Sequence, residues 1–412
     1  MLNEKSSGSV ASEYSQALEE LKSRNLYRQC RRISGAQGPE VIVDGRRVIL
    51  LCSNNYLGLA DHPALARAAS KAASSFGFGA GASRLVSGTM DLHCELEERL
   101  AKFKRAERCL LFNSGYHANI GVLSSLASEN DVIYSDALNH ASIIDGVRLS
   151  RATARIYPHL DVTALEKMMR TETVKGRKII VTDGVFSMDG DVAPLDELVK
   201  LKRRYDALLV VDEAHATGVV GPGGRGLAAE FGLDHEVDIS VGTLGKALGS
   251  FGAFAAGRSE MIEWLINTAR SFIFTTALPP PVVAASIAAL DVMEREPERI
   301  EALKKNARYV RRRMVEIGFD LRENGIPIIP LIIGDSAKAV NFAAELFEEG
   351  IFCQAIRPPS VPAGSSRLRI TVMATHTRAH LDRAVDAISK VIERLGIIPD
   401  EVAGNSAHKK SG

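Results

Sequence analysis

Between about residues 56 and 290, short apolar runs recur with helical stretches between most of them. The runs CLLF (109–112), VIYS (132–135), ARIY (154–157), KIIVT (178–182), ALLVVD (207–212), DISVG (238–242) and FGAFAA (251–256) predict strands. Most are continuously apolar rather than alternating. That pattern predicts a mostly parallel sheet covered by helices on both faces, with right-handed connections. Ahead of it, residues 12–32 predict an amphipathic helix, with Tyr14, Leu18, Leu21 and Leu26 near one face. The run EVIVDGRRVILL then predicts a hairpin around Asp44-Gly45, a turn in which both residues need positive φ. Three prolines at 279–281 open another helix, and the charged segment MEREPERIEALKK after it reads as a domain boundary. From 293 to 396 the order helix, strands, helix, strands, helix predicts a smaller α+β domain, and EVAGNSAHKKSG predicts a disordered tail. The expected division is an N-terminal helix and hairpin arm (1–55), a large α/β domain (56–292), a small C-terminal α+β domain (293–398) and a tail (399–412).

Composition narrows the function. Lys plus Arg number 51 and Asp plus Glu 50, a net charge of +1 that gives no electrostatic case for a nucleic acid or an anionic membrane. With 46% hydrophobic and 25% charged residues the chain is neither disordered nor fibrous. The apolar run 282–290 is far short of the roughly 18 residues that span a bilayer. The N-terminus shows no apolar signal segment. The five cysteines are scattered, with no C-x-x-C pair, so neither a disulfide framework nor a metal site is expected and a cytoplasmic setting fits best.

The candidate chemistry sits after the strands. In LLVVDEAHATG (208–218) an apolar strand ends at Asp212, with His215 three residues on. Ligands of doubly wound sheets lie beyond such strand ends, although an Asp there also caps helices. In SVGTLGKALGSFG (240–252) Lys246 follows Thr243 and lies between Gly245 and Ala247. A lysine buried among small neighbours loses its proton readily and can form a Schiff base. An acid at a strand end together with such a lysine suits pyridoxal 5′-phosphate (PLP), whose pyridine nitrogen needs a partner anion. Ser114 and Gly115, in FNSGYHANIG, stand where a strand becomes a helix, a place where free N–H groups bind phosphate. His140 follows a strand where an imidazole can stack on a flat ring, and Ser187, in VTDGVFSMDGD, offers a hydroxyl; alone, each reads equally well as structural. The glycine-rich FGFGAGASR (76–84) follows a helix rather than a strand, so it reads as close-packed backbone lining the site and not as a dinucleotide loop.

From about residue 20 to 395 the chain resembles the α-oxoamine synthase family of PLP enzymes. The likeness rests on SNNYLGL (53–59), NHASIIDG (139–146), DGVFSMDGD (183–191), DEAHATG (212–218) and GTLGKALG (242–249). It implies the aspartate-aminotransferase-like fold type I, PLP as cofactor, and a homodimer with sites at the subunit interface. It implies Lys246 as the cofactor-bearing lysine that also moves protons at Cα. Asp212 then pairs with the ring nitrogen, His215 and Ser187 lie by the ring's phenolic oxygen, and His140 stacks on its face. Ser114, Gly115, Tyr116 and Thr243 lie about the ring and phosphate, and Thr275 reaches the phosphate of the neighbouring subunit. For substrate, the family roles fall on Arg369 for the amino-acid carboxylate, Asn54 beside it, and Arg28 for the acyl group, with Arg24 and Arg31 as alternatives. The segment AIRPPSVPAGSSRLRITVMATHT (355–377) is closest to the branch that condenses L-alanine with a pimeloyl thioester, except that Ser360 replaces that branch's usual threonine. The resemblance thus implies formation of 8-amino-7-oxononanoate, CoA and CO2 in biotin biosynthesis. The alternative it leaves is a sister synthase, such as a glycine C-acetyltransferase, and Lys246 argues against a non-catalytic subunit.

Overall fold

The computed structural model describes residues 10–397, so the expected tail at 399–412 lies outside the described residues. All seven runs of the central pattern are strands of one sheet, in the order 108–112, 253–257, 239–243, 207–212, 178–183, 132–136 and 153–157. Side chains alternate between two faces, and each face is buried. Leu111, Tyr134, Ile180 and Leu209 pack into one apolar cluster, and Leu110, Ile133, Ile179 and Val210 into another. The strands from 132 to 243 pair in parallel, while 253–257 runs antiparallel to both its neighbours. Its direction follows from the loop before it. A parallel return needs about a dozen residues of crossover, and the connection 244–252 is shorter than that. This tight connection carries Lys246.

The expected hairpin is present. Glu40–Val43 pairs with Arg46–Leu50, and Asp44 (φ 49°) and Gly45 (φ 88°) make the turn. Its second strand also pairs in parallel with Ile351–Phe352, so the arm shares a sheet with the C-terminal part of the chain. The N-terminal helix is shorter than its apolar spacing predicts. It ends at Ser23 rather than near Arg32, because Asn25 turns left-handed (φ 54°) and Leu26 donates its N–H back to the Leu21 carbonyl, closing the last turn. In the C-terminal part, Ile328–Gly334, Ser366–Thr371 and Ala355–Ile356 form a small antiparallel sheet. Helices Glu298–Glu316, Ser336–Glu348 and Arg378–Leu395 accompany it.

Four parallel strands end in buried polar residues: Asp136, Asp183, Asp212 and Thr243. The turn leaving Asp212 is locked from behind. Glu213 is fully buried; its carboxylate takes the ammonium of Lys104, the Ala228 N–H (2.9 Å) and the Ser240 hydroxyl (3.0 Å). A Cβ on Gly226 (φ 116°) would fall 2.3 Å from Glu213 Oε2, so only glycine lets the backbone wrap this carboxylate. Lys104→Met should therefore lower the unfolding free energy by about 3–5 kcal/mol, the cost of stranding a buried charge. Lys104→Met combined with Glu213→Gln should recover most of it, because the amide still serves Ala228. Urea unfolding checks both; a single variant as stable as the parent contradicts the pairing.

Candidate active site

Lys246 Nζ lies 3.0 Å from His215 Nε2, and His215 Nδ1 lies 2.7 Å from the Tyr56 hydroxyl. Tyr56 in turn donates to Asn54 Oδ1 (3.1 Å), and Arg369 donates to Tyr56 (3.3 Å), to Asn54 (3.2 Å) and to the Ser187 carbonyl. One chain of contacts thus joins the lysine loop, the strand end at 212, the segment 53–59 and the small sheet. Burial, helped by the charges of Lys246 and Arg369, holds the His215 imidazole well below its usual pKa, so the ring is neutral. With Tyr56 donating to Asn54, the one ring proton belongs on Nδ1, and Nε2 turns its lone pair to the Lys246 amine. Burial also pulls the Lys246 amine below its usual pKa, against the attraction of Asp212 and Asp183.

Asp212 is 5% exposed; its Oδ2 accepts from Asn119 Nδ2 (2.6 Å) and its Oδ1 from the Ala214 N–H (2.8 Å). Asn119 also donates to the Ser142 hydroxyl (2.8 Å), which bonds His140 Nδ1 (2.7 Å). Asp183 stands directly beside Asp212 in the parallel register. Its Oδ2 accepts the His140 backbone N–H at 2.8 Å, which sets where that ring begins. Burial, then repulsion from Asp212, raises the Asp183 carboxyl well above the usual range. Desolvation lowers the His140 imidazole, against the attraction of Asp212.

Helix Gly115–Leu126 opens at the same edge. Ser114 caps it, its hydroxyl accepting the His117 N–H (3.2 Å), and among the described residues the N–H groups of Gly115 and Tyr116 have no acceptor. A Cβ on Gly115 would come within 2.9 Å of the Thr243 methyl, so the helix start and the strand end are packed together. Thr275 is close by; its hydroxyl accepts from Asn113 (3.0 Å). The Tyr116 hydroxyl bonds Asp145.

A lysine with a depressed pKa, a buried acid and a helix N-terminus with free N–H groups converge on one space. The family model for class I and II aminotransferases matches residues 46–388. The chain belongs to this family, in its α-oxoamine synthase branch. It is 53% identical over 383 residues to an 8-amino-7-oxononanoate synthase of Geobacter sulfurreducens, covering 92% of this chain and 98% of the relative. It is 49% identical to the enzyme of that name from Lysinibacillus sphaericus, over 92% and 98% of the two chains. Among solved structures, a serine palmitoyltransferase of S. paucimobilis with a bound PLP-myriocin aldimine superposes with a TM-score of 0.90 at 31% identity, over 95% of this chain and all of that one. An 8-amino-7-oxononanoate synthase of Francisella tularensis superposes with a TM-score of 0.73 at 31% identity, over 85% and 99%. PLP is the cofactor of these synthases, and the residues fit it. Lys246 has only a neutral imidazole as hydrogen-bond partner, Asp212 is a buried acid held from behind, and the Gly115 cradle would be filled by a Cβ.

The structure brings Lys246, Asp212, His215, His140, Ser187, Thr243, Ser114, Gly115, Asn54 and Arg369 about this synthase cleft. Two expected acyl-side residues stand apart from the Lys246 chain of contacts. Arg28 is exposed and donates to the Pro358 carbonyl (3.0 Å), and Ser360 is exposed in the turn that follows. The segment 76–84 is not close-packed within the chain. Cβ atoms on Gly77, Gly79 and Gly81 would meet nothing within 4 Å, and Phe78 is 78% exposed. Arg84, without a role in the sequence reading, forms a two-pronged ion pair with Glu97 (2.9 Å each). Three residues of the site escaped the reading. Asp183 ends a strand just as Asp212 does, a signal in plain sight. Tyr56 lies inside a quoted motif. Asn119 gave no signal, since an asparagine in a helix is ordinarily solvated.

The loop bearing Ser187 is held by cations. Arg367 pairs with Asp189, and Arg369 takes the Ser187 carbonyl. His159 bridges Asp136 (2.9 Å) and Asp191 (2.7 Å), and its ring lies edge-on to Phe186 at 4.5 Å. Desolvation alone would lower the His159 pKa, but its two carboxylates carry it to about 9. A folded-state pKa above the unfolded value stabilises fully below about pH 6.5, and that contribution is lost as pH rises through 9. His159→Gln should therefore cost stability at pH 6 and little at pH 10, as thermal unfolding across that range would show; a pH-independent cost contradicts the bridge. Because the Asp183 carboxyl is pushed well above the usual range, Asp183→Asn should hold turnover within a few-fold, whereas Asp183→Leu strands the His140 N–H and costs about 1–3 kcal/mol of stability. An Asn variant as inactive as Asp212→Asn would contradict this difference between the two acids.

Proposed function

We propose that this protein condenses L-alanine with a pimeloyl thioester, giving 8-amino-7-oxononanoate, the free thiol and CO2 in biotin biosynthesis. The Cα–H bond breaks first and its proton leaves; a bond then forms between alanine Cα and the thioester carbonyl carbon, and the carbon–sulfur bond breaks. The alanine carboxylate leaves as CO2, and Cα takes up a proton in its place. The observation that carries the substrate pair is the 53% likeness to a synthase of that name over nearly its whole length. Supporting PLP chemistry is the buried Lys246 amine, its pKa lowered by that burial, within the field of Asp212.

Bound PLP supplies an electron sink for the pair left at Cα. The rest falls to the chain. Lys246 holds the cofactor covalently and, once displaced by the substrate amine, takes and returns the Cα proton; with its pKa lowered by burial it has a lone pair to do so. Asp212, held by Asn119 and the Ala214 N–H, would pair with the ring nitrogen. His215 and Ser187 would serve the phenolic oxygen, and His140 would flank the ring. Ser114, Gly115, Tyr116 and Thr243 would hold the phosphate, joined by Thr275 of the partner subunit. Arg369 would take the alanine carboxylate on its guanidinium fork, already aligned by Asn54 and the Ser187 carbonyl. That grip would fix how alanine is oriented in the site. Arg28 and Ser360, next to each other through Pro358, meet the acyl chain.

The working form is a cytoplasmic homodimer with interfacial sites. The exposed apolar side chains Phe78, Val86 and Phe274 support it; the segments carrying Val86 and Phe274 are joined by the bridge between Ser83 and Thr276. No helix among the described residues is long and apolar enough to cross a membrane.

With carboxyl-labelled alanine and pimeloyl-CoA, the protein should release the label as CO2 in step with free thiol. Glycine with acetyl-CoA turning over faster would sink the alanine assignment in favour of a sister synthase. Arg369→Lys keeps the charge and loses the fork, so alanine binding, followed by the cofactor's absorbance, should weaken by roughly 1.5–3 kcal/mol with cofactor loading intact. If Arg367→Lys rather than Arg369→Lys lost alanine, the roles of the two arginines would be exchanged.

A further inference from the structure

Helix Glu298–Glu316 places Lys305, Arg308 and Arg312 at spacings of three and four, on one face. With Arg311, and with Arg378 from the first turn of helix Arg378–Leu395, they line a pocket of about 740 Å³. That is the size of a site for one small molecule. Arg312 and Arg378 have carboxylates of their own, Glu316 at 3.6 Å and Asp382 at 2.9 Å. Lys305 and Arg308 have no hydrogen-bond or ion-pair partner among the described residues.

Arg311 is the more telling group. Its side chain is 4% exposed, and its guanidinium meets three carbonyls, of Arg322 (3.1 Å), Ile326 (3.1 Å) and Ile328 (2.8 Å), but no carboxylate. Its buried Nε has no hydrogen-bond partner among the described residues. A buried guanidinium without a counter-ion is costly, and burial drags its pKa down to about 10. Glu323, exposed, is the lone carboxylate of the wall, and Val315 and Leu321 add an apolar side.

We propose that this pocket binds a small organic polyphosphate, with its phosphates on Lys305 and Arg308, the buried charge of Arg311 behind them, and its carbon skeleton against Val315 and Leu321. Two unpaired cations, with a third charge behind them balanced by carbonyls alone, call for a multiply charged ligand, and the Arg308 guanidinium fork matches phosphate oxygens two at a time. The net charge of +1 disfavours a nucleic-acid strand as the occupant. None of these side chains bonds to the Lys246 group, so the site is separate from the catalytic one.

The test is calorimetric titration of the dialysed, PLP-loaded protein with ATP, pyrophosphate and adenosine. ATP should bind most tightly, pyrophosphate more weakly and adenosine not at all, with binding that falls as salt rises. The variant Lys305→Gln/Arg308→Gln, with both changes on exposed side chains, should bind ATP at least about tenfold more weakly, the loss expected when charged hydrogen bonds are removed. Its turnover and melting temperature should match the parent's. No binding of ATP or pyrophosphate at millimolar concentration in physiological salt overturns the proposal, as does unchanged affinity in the double variant. Equal affinity for ATP and pyrophosphate overturns the apolar contact.

Discussion

An amine can attack a carbonyl only after it gives up its proton, and this architecture is arranged around that requirement at Lys246. The lysine sits on the short connection 244–252, which is also why the strand after it runs antiparallel in an otherwise parallel stretch of sheet. Burial lowers the amine's pKa, and Asp212 and Asp183 pull the other way. The two acids differ: burial and repulsion from Asp212 push the Asp183 carboxyl well above the usual range, which weakens its pull on the amine. His215, neutral for the same reason of burial, is a hydrogen-bond partner that competes for no charge.

A second constraint ties the two parts of the chain together. Arg369 belongs to the middle strand of the small sheet, but its partners Asn54, Tyr56 and the Ser187 carbonyl belong to other segments. Arg367 does the same with Asp189. The loop 183–191 is therefore gripped by the small sheet on one side and by the His159 imidazolium on the other. With the roles proposed for Arg369 and Ser187, a substrate carboxylate would act on the loop that bears Ser187, and substrate binding and cofactor positioning would share one element.

The central sheet was legible because its strands are apolar throughout, and all seven runs became strands within two residues of their expected ends. The hairpin was legible because Asp44-Gly45 permits only one kind of turn. The N-terminal helix was over-extended because apolar spacing continues through Leu26, whereas the stop comes from the left-handed Asn25, which spacing does not report. Lys246, Asp212 and His215 were legible as a pattern of residue types after strands. Asn119 was not, because its partner is 93 residues away and only the fold joins them. The openness around Gly77–Gly81 was misjudged, since glycine spacing alone cannot tell a packed backbone from an exposed one. The Arg311 cluster was hidden in a charged helix whose periodicity looks like an ordinary solvated face.

The account rests on Lys246 being the residue that carries PLP. Borohydride reduction of the PLP-loaded protein, followed by proteolysis and mass spectrometry of the peptides, tests this directly. The account predicts a single pyridoxyl group, on Lys246 in the peptide spanning 242–249. A pyridoxyl group on any other lysine, with Lys246 unmodified, would contradict it.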